Sequence, residues 1–130
     1  MAPTSVELND ISGKIIELAI KVHSALGPGM LEGAYEACLM FELMNAGLKA
    51  ESQLKLPIVY RGNKIDAGYR IDVLVEDSVI IELKAIDRLL PVHEAQLLSY
   101  LRMSNLKLGL LLNFNNKLLR DGIRRVVNNF

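Results

Sequence analysis

Two runs of alternating apolar residues, one ending at Val75 and one beginning at Val79, flank the short polar turn Glu76-Asp77-Ser78. A period of two on both sides of a tight turn belongs to a β-hairpin, and no other feature of the chain constrains its folding as sharply. Closing the hairpin on those three residues sets Asp72 opposite Glu82. In that register Ile71, Val73, Val75, Val79, Ile81 and Leu83 share one face, and Arg70, Asp72, Glu82 and Lys84 share the other. A slip of one residue would mix the two sets and bury charges, so the pattern itself selects the register. Directly opposed carboxylates repel each other unless a proton or a cation lies between them. Mg²⁺ or another hard divalent cation is the usual remedy, because its preferred ligands are oxygens.

The other elements follow from the same kind of pattern. Ile11, Ile15, Leu18, Val22 and Leu26 recur at helical spacing behind Asn9 or Asp10 as the cap, which predicts a helix over residues 8–25 stopped by Gly27-Pro28-Gly29. A second helix is expected over residues 30–46, with Leu31, Ala34, Tyr35, Cys38, Leu39 and Leu43 on its apolar side and Gly47 as its stop. Leu54, Leu56, Ile58 and Tyr60 then alternate as a strand, and Pro57, having no amide hydrogen, favours a sheet edge there. Gly62-Asn63 suits a two-residue hairpin turn that aligns Tyr60, Ile58 and Leu56 with Ile65, Ala67 and Tyr69. Pro91 opens a third helix running to Met103, with Leu97, Leu98 and Leu101 facing inward. The apolar run from Leu106 to Phe114 suits a buried strand. Residues 117–130 fit a helix or a short strand after Gly122, with the helix preferred. The expected order is α-α-β-β-β-α-β, an α/β (α+β) fold in a single domain over residues 1–130, with a central mixed sheet flanked by helices.

Charge and cysteine content narrow the function. With 15 basic and 15 acidic residues, whole-molecule charge supplies no general attraction to nucleic acid or membrane. The distribution is uneven: residues 1–51 carry three Lys against seven acids, and residues 52–130 carry twelve Lys or Arg against eight. The basic surplus travels with the hairpin and with the tail holding Lys117, Arg120, Arg124 and Arg125, where a plain solvated surface is an equal explanation. The lone Cys38 excludes an internal disulfide and a cysteine-rich zinc site, and it suits a reducing compartment. Set among Ala37, Leu39 and Met40, it reads as a small buried thiol. No basic leader precedes an apolar run and no stretch approaches about 18 apolar residues, so a cytoplasmic chain with no membrane partner is expected.

Asp72 on one strand and Glu82-Leu83-Lys84 on the next, in this element order, resemble the PD-(D/E)XK nuclease superfamily, with Ile71 standing where its proline often does. Gly29-Met30-Leu31-Glu32-Gly33-Ala34-Tyr35 is similar to the signature of the GxxExxY family grouped with it. Gln96-Leu97-Leu98-Ser99-Tyr100 resembles the QxxxY element of RecB-type nucleases. The resemblance spans residues 13–127 and implies a restriction-endonuclease-like core. It also implies that Asp72, Glu82, Glu32 and the backbone carbonyl of Leu83 bind Mg²⁺ or Mn²⁺. Lys84, about 6.6 Å along the strand from Glu82, would then orient the attacking water and stabilise the developing charge. Gln96 would position the metal, the water or Lys84, and Tyr100 would fix that amide or touch a phosphate. Tyr35 would pack or hydrogen-bond beside Glu32, and the substrate implied is DNA or RNA.

Each of these residues has a plainer explanation. Asp72 and Glu82 would suit an exposed charged strand face, and a Glu82–Lys84 surface pair would contribute little. Glu32, in the first turn of a helix, is favoured there by the helix dipole alone. His93 shares a helix face with Gln96 and Tyr100 but reads as a polar residue of the first turn rather than a ligand. Gly68 either leaves room for a substrate backbone or marks a bend. Beside the metal-dependent nuclease stand two other readings: a catalytically quiet module that binds nucleic acid, and a homodimer or other homo-oligomer built on the first helix and the edge strand. The last would leave Asp72 and Glu82 apart or bridged to arginine.

Overall fold

The computed structural model describes residues 2–130. The elements run α1 (Ser5–Leu26), α2 (Glu32–Asn45), β1 (Ala50–Lys55), β2 (Ile58–Tyr60), β3 (Asn63–Ile65), β4 (Arg70–Val75), β5 (Val79–Lys84), α3 (Pro91–Ser104), β6 (Leu108–Asn113) and β7 (Ile123–Val127). A five-stranded sheet has the order β1-β4-β5-β6-β7, in which only β5 and β6 are parallel. That parallel pair needs a crossover, and α3 supplies it. This is the α+β, restriction-endonuclease-like arrangement of a mixed central sheet flanked by helices. Among the described residues no helix is long and apolar enough to cross a membrane.

The hairpin register is the expected one: Val73 faces Ile81, Leu74 faces Ile80 and Val75 faces Val79. Helices α1 and α2 cover one side of the sheet, where Ile15, Val22, Tyr35 and Leu39 pack on Val73, Ile81, Leu83 and Leu110. Helix α3 covers the other side, with Leu97, Tyr100 and Leu101 against Ile80, Leu111 and Leu56. Every residue of β6 is buried, as a strand sandwiched on both faces must be. Gly109 makes the fit possible, since a Cβ there would lie 2.8 Å from a Leu97 methyl carbon. The expected split into one apolar and one charged face is thereby corrected. Leu74 and Ile80 lie on the side of Asp72 and Glu82, and Ile71 also joins the cluster beneath α3. The pattern of the hairpin alone did not reveal the helix that dries this face.

Four local features differ from expectation. Thr4, not Asn9 or Asp10, caps α1: its hydroxyl accepts the Glu7 N–H at 3.1 Å while the Glu7 carboxylate accepts the Thr4 N–H at 3.3 Å. Such a capping box lets a helix begin well before its apolar stripe. Leu31, expected on the apolar side of α2, precedes its first turn and is 83 % exposed. Cys38 is half-buried at the margin of the core rather than within it. The tail is strand, not helix: a 3₁₀ turn at Leu119–Gly122 leads into β7, which pairs antiparallel with β6. The unpaired edge of β6 decided that choice, because it offers β7 the bonds that a short, mostly exposed helix would have to find alone.

The strand expected through Leu54 and Tyr60 breaks at Pro57, so that β1 stays in the sheet while β2 and β3 form a separate two-stranded ribbon. The ribbon turns on Arg61-Gly62 and not on Gly62-Asn63, pairing Tyr60 with Asn63 and Ile58 with Ile65. Both turn residues have positive φ, 50° and 80°, as the tightest hairpins require. Below the ribbon the expected alignment returns, with the Leu56 N–H donating to the Tyr69 carbonyl at 2.9 Å. Pro57 on one side therefore faces Asp66, Ala67 and Gly68 on the other, and the excess splits the ribbon from the sheet. Gly68, with φ of 82° and its N–H on the Asp66 carboxylate, marks a bend.

Candidate active site

At the level of Asp72 the sheet's regular bonding is interrupted on the β1 side and ended on the β5 side. The β1–β4 ladder pairs Ser52 with Val73 and Leu54 with Ile71 but skips Gln53 and Asp72. The β4–β5 ladder ends one step earlier, at Val73 and Ile81. Gln53 adopts a left-handed φ of 54°, uncommon for a residue with a side chain. Side chains replace the missing backbone bonds. The Asp72 N–H donates to Glu82 Oε2 at 2.8 Å, and the Leu83 N–H donates to Asp72 Oδ2 at 2.9 Å. Each acid thus holds the other's strand with one oxygen.

Burial makes this pair electrostatically expensive. Glu82 is 4 % exposed. Its carboxyl is pushed up to about 8, first by loss of solvent and then by the charge of Asp72, against the opposing pull of the Asp72 N–H and Lys84. Burial also raises Asp72, although the Leu83 N–H and the Lys84 charge oppose the rise. Glu32, on the first turn of α2, is raised by burial and by Asp72, with Lys84 acting to lower it. One turn along, Glu36 is raised by burial and is partly relieved by the Gln53 amide, which donates to it at 2.8 Å. Four acids therefore share a region where each is harder to ionise than in water.

A group of oxygens that resists ionisation without a cation is suited to one. The donors fit a hard divalent ion: the carboxylates of Asp72 and Glu82 and the Leu83 carbonyl are all oxygens, and Mg²⁺ commonly takes only one or two carboxylates and fills its shell with water. Among the described residues no three His, Cys, Asp or Glu side chains gather into a closed metal cage. Glu32 lies within electrostatic reach of Asp72 and Lys84 but is set back from the pair.

Lys84 stands half-buried at the end of β5 and makes no ion pair among the described residues, so the expected alternative of a Glu82–Lys84 surface pair is not formed. Neither Asp72 nor Glu82 is bridged to arginine. The fully buried Asn113 secures this strand end by bonding both the N–H and the carbonyl of Ile86, at 3.1 and 2.9 Å, while the Phe114 N–H binds the Lys84 carbonyl. Tyr100 is buried on α3, and the charges of Glu82 and Asp72 add to its burial in raising its hydroxyl. Gln96, one turn earlier, lines a groove of about 340 Å³ with Tyr100 and Tyr69, and it makes no hydrogen bond to Asp72, Glu82 or Lys84. His93 accepts the Leu90 N–H at 2.9 Å and so serves the start of α3. Tyr35 is not a partner of Glu32. It stacks on Phe114 with ring centres 4.5 Å apart, and its hydroxyl ties Gly27 to Met30.

The structure thus brings Asp72, Glu82, Lys84, Glu32 and Tyr100 into one electrostatic neighbourhood and leaves Gln96 at its margin. Sequence reasoning missed Glu36, Gln53, Asn113 and Tyr69. Glu36 was within reach, since it lies four residues from Glu32 on one helix face. Gln53 follows only from the register that pairs Leu54 with Ile71. A family model described as the PD-(D/E)XK nuclease superfamily matches residues 9–126. No curated protein and no solved structure matches the chain significantly.

Proposed function

The chain belongs to the PD-(D/E)XK nuclease superfamily, and from that premise we propose that it is a metal-dependent nuclease that hydrolyses phosphodiester bonds of DNA or RNA. One observation carries the reading: a buried Glu82 and a half-buried Asp72, reciprocally bonded, share a strand end with a lysine that makes no ion pair among the described residues. Asp72, Glu82 and the Leu83 carbonyl would hold Mg²⁺ or Mn²⁺, with Glu32 acting through water; when bound, such an ion supplies charge to the phosphate and acidifies a water. The Lys84 ammonium orients the attacking water and faces the negative charge that builds on the phosphate oxygens. Tyr100 walls the site from α3, and Gln96 holds substrate rather than metal. The GxxExxY signature fits this assignment, because Glu32 lies on the helix that faces the acids. Free Cys38 suits a cytoplasmic home for this single domain.

The test is hydrolysis of single-stranded DNA, duplex DNA and RNA with Mg²⁺ or Mn²⁺. Glu82→Ala should lower the rate by about 10³-fold or more, and Lys84→Ala by about 10²–10³-fold. Activity that survives both changes would refute the mechanism. A second reading, a chain that binds nucleic acid without turnover, is favoured by the way the two acids are satisfied by their own hairpin. It calls for salt-dependent binding with no product under any metal.

A further inference from the structure

The β2–β3 ribbon leaves the sheet carrying large apolar side chains into solvent: Val59 and Tyr60 are both more than 60 % exposed, and Ile65 nearly half. A lone two-stranded ribbon is marginal in water, so exposed apolar residues there call for a partner. Charge specifies what kind. Residues 55–70 hold Lys55, Arg61, Lys64 and Arg70 against a single acid, Asp66. All four cations are exposed and none makes an ion pair among the described residues. In a chain with no net charge, this is a local excess beside a cluster of acids, the placement that suits a polyanion running past them.

Behind the ribbon, Tyr69 meets Tyr100 edge to face with ring centres 5.9 Å apart. They wall a groove of about 340 Å³ with Ile58 and Met103 for apolar contact and Gln96 and Ser99 for hydrogen bonding. The charges of Asp72 and Glu82 reach the Tyr100 hydroxyl, which puts the groove next to the acids. Its volume is at the low end of small-ligand pockets, roughly 300 Å³, and so suits one base rather than a duplex.

We propose that the β2–β3 ribbon and the Tyr69–Tyr100 groove bind a single-stranded nucleic acid, with the ribbon cations on its phosphates and one unstacked base in the groove. This deepens the nuclease reading and rests on it. Exposed aromatics interleaved with cations are how sequence-tolerant single-strand binding is built, since every base has a face to stack and a phosphate to neutralise.

Anisotropy titrations of the whole chain in EDTA decide the matter, using fluorescent single-stranded DNA and RNA, the matching duplex, and heparin as competitor. The single strand should bind at least about tenfold more tightly than the duplex. Tyr60→Ala should weaken it about 5–100-fold. Arg61→Ala with Lys64→Ala should flatten the slope of log affinity against log salt by about 1.4. These positions are exposed, and circular dichroism would check that the variants fold. Duplex bound as tightly as single strand, or ribbon variants indistinguishable from the parent, would overturn the inference; so would heparin competing fully while Tyr60→Ala has no effect. Metal-dependent cleavage confined to duplex would reject the surface and keep the nuclease. Ribbon-dependent single-strand binding with no cleavage would do the reverse.

Discussion

Two neighbouring levels of one hairpin are built from opposite materials. At Val73 and Ile81 the strands are joined by backbone bonds, and both side chains are fully buried in the core. One step further, at Asp72 and Glu82, the ladder has stopped and carboxylates hold the amides instead. The first level is stabilised by removing apolar surface from water. The second works against its own burial, as the raised carboxyls of Glu82 and Asp72 record. A rigid, dry level directly beneath it is what lets a repelling pair be held in place.

Substitution should therefore separate the two levels. Glu82→Gln keeps an oxygen for the Asp72 N–H and removes the ionisable carboxyl a cation would need, so it should abolish metal-dependent cleavage; near pH 5, where the folded Glu82 carboxyl is still protonated, it should shift unfolding by no more than about 1 kcal/mol. Ile81→Ala, on the same strand, should cost about 2–5 kcal/mol of stability through lost burial and a cavity. Parallel urea melts and cleavage assays check both, and a Glu82→Gln protein that unfolds as readily as Ile81→Ala would erase the distinction.

The contrast also has a pH signature. The Glu82 carboxyl titrates near 8 in the folded chain against an ordinary value of 4.5, so between those values the folded state holds a proton the unfolded chain has released. Stability from this group is greatest below the lower value, falls as pH rises through the window, and is level above it. The difference between wild type and Glu82→Gln isolates the group, and wild type should lose on the order of 1–4 kcal/mol relative to the variant across that range. For the same reason Mg²⁺ should bind more tightly as pH rises toward 8, releasing a proton, which calorimetry in two buffers would detect. A flat difference curve would mean that Glu82 is ionised throughout. The smallest expected effect is at Gln53. Gln53→Ala removes the amide that relieves Glu36, and it should raise the metal concentration for half-maximal activity less than tenfold, with a stability change below about 1 kcal/mol.

The closed end of the hairpin was legible because period two, a polar turn and facing acids all pointed to one register. Glu32 and Tyr100 were legible through motifs that place them at a helix start and on a helix face. What escaped was decided by contacts distant in sequence. The register sets Leu74 and Ile80 on the face of Asp72 and Glu82, and nothing in the hairpin's own pattern shows that α3 covers them. Ile123 to Val127 carries too little pattern to declare itself a strand without β6 beside it. The turn at Arg61-Gly62 required a non-glycine residue at positive φ, which turn preferences disfavour. Gln53 was invisible because it matters only where a ladder fails.

Asp72, Glu82 and Lys84 all lie in one uninterrupted segment, Arg70–Lys84, whereas the groove wall comes from α3 and the ribbon from Ile58–Ile65. The segment is one covalent cassette, separate in sequence from the surfaces around it. Changes to the ribbon or to α3 can redirect what is held against the acids, and the cassette itself need not change.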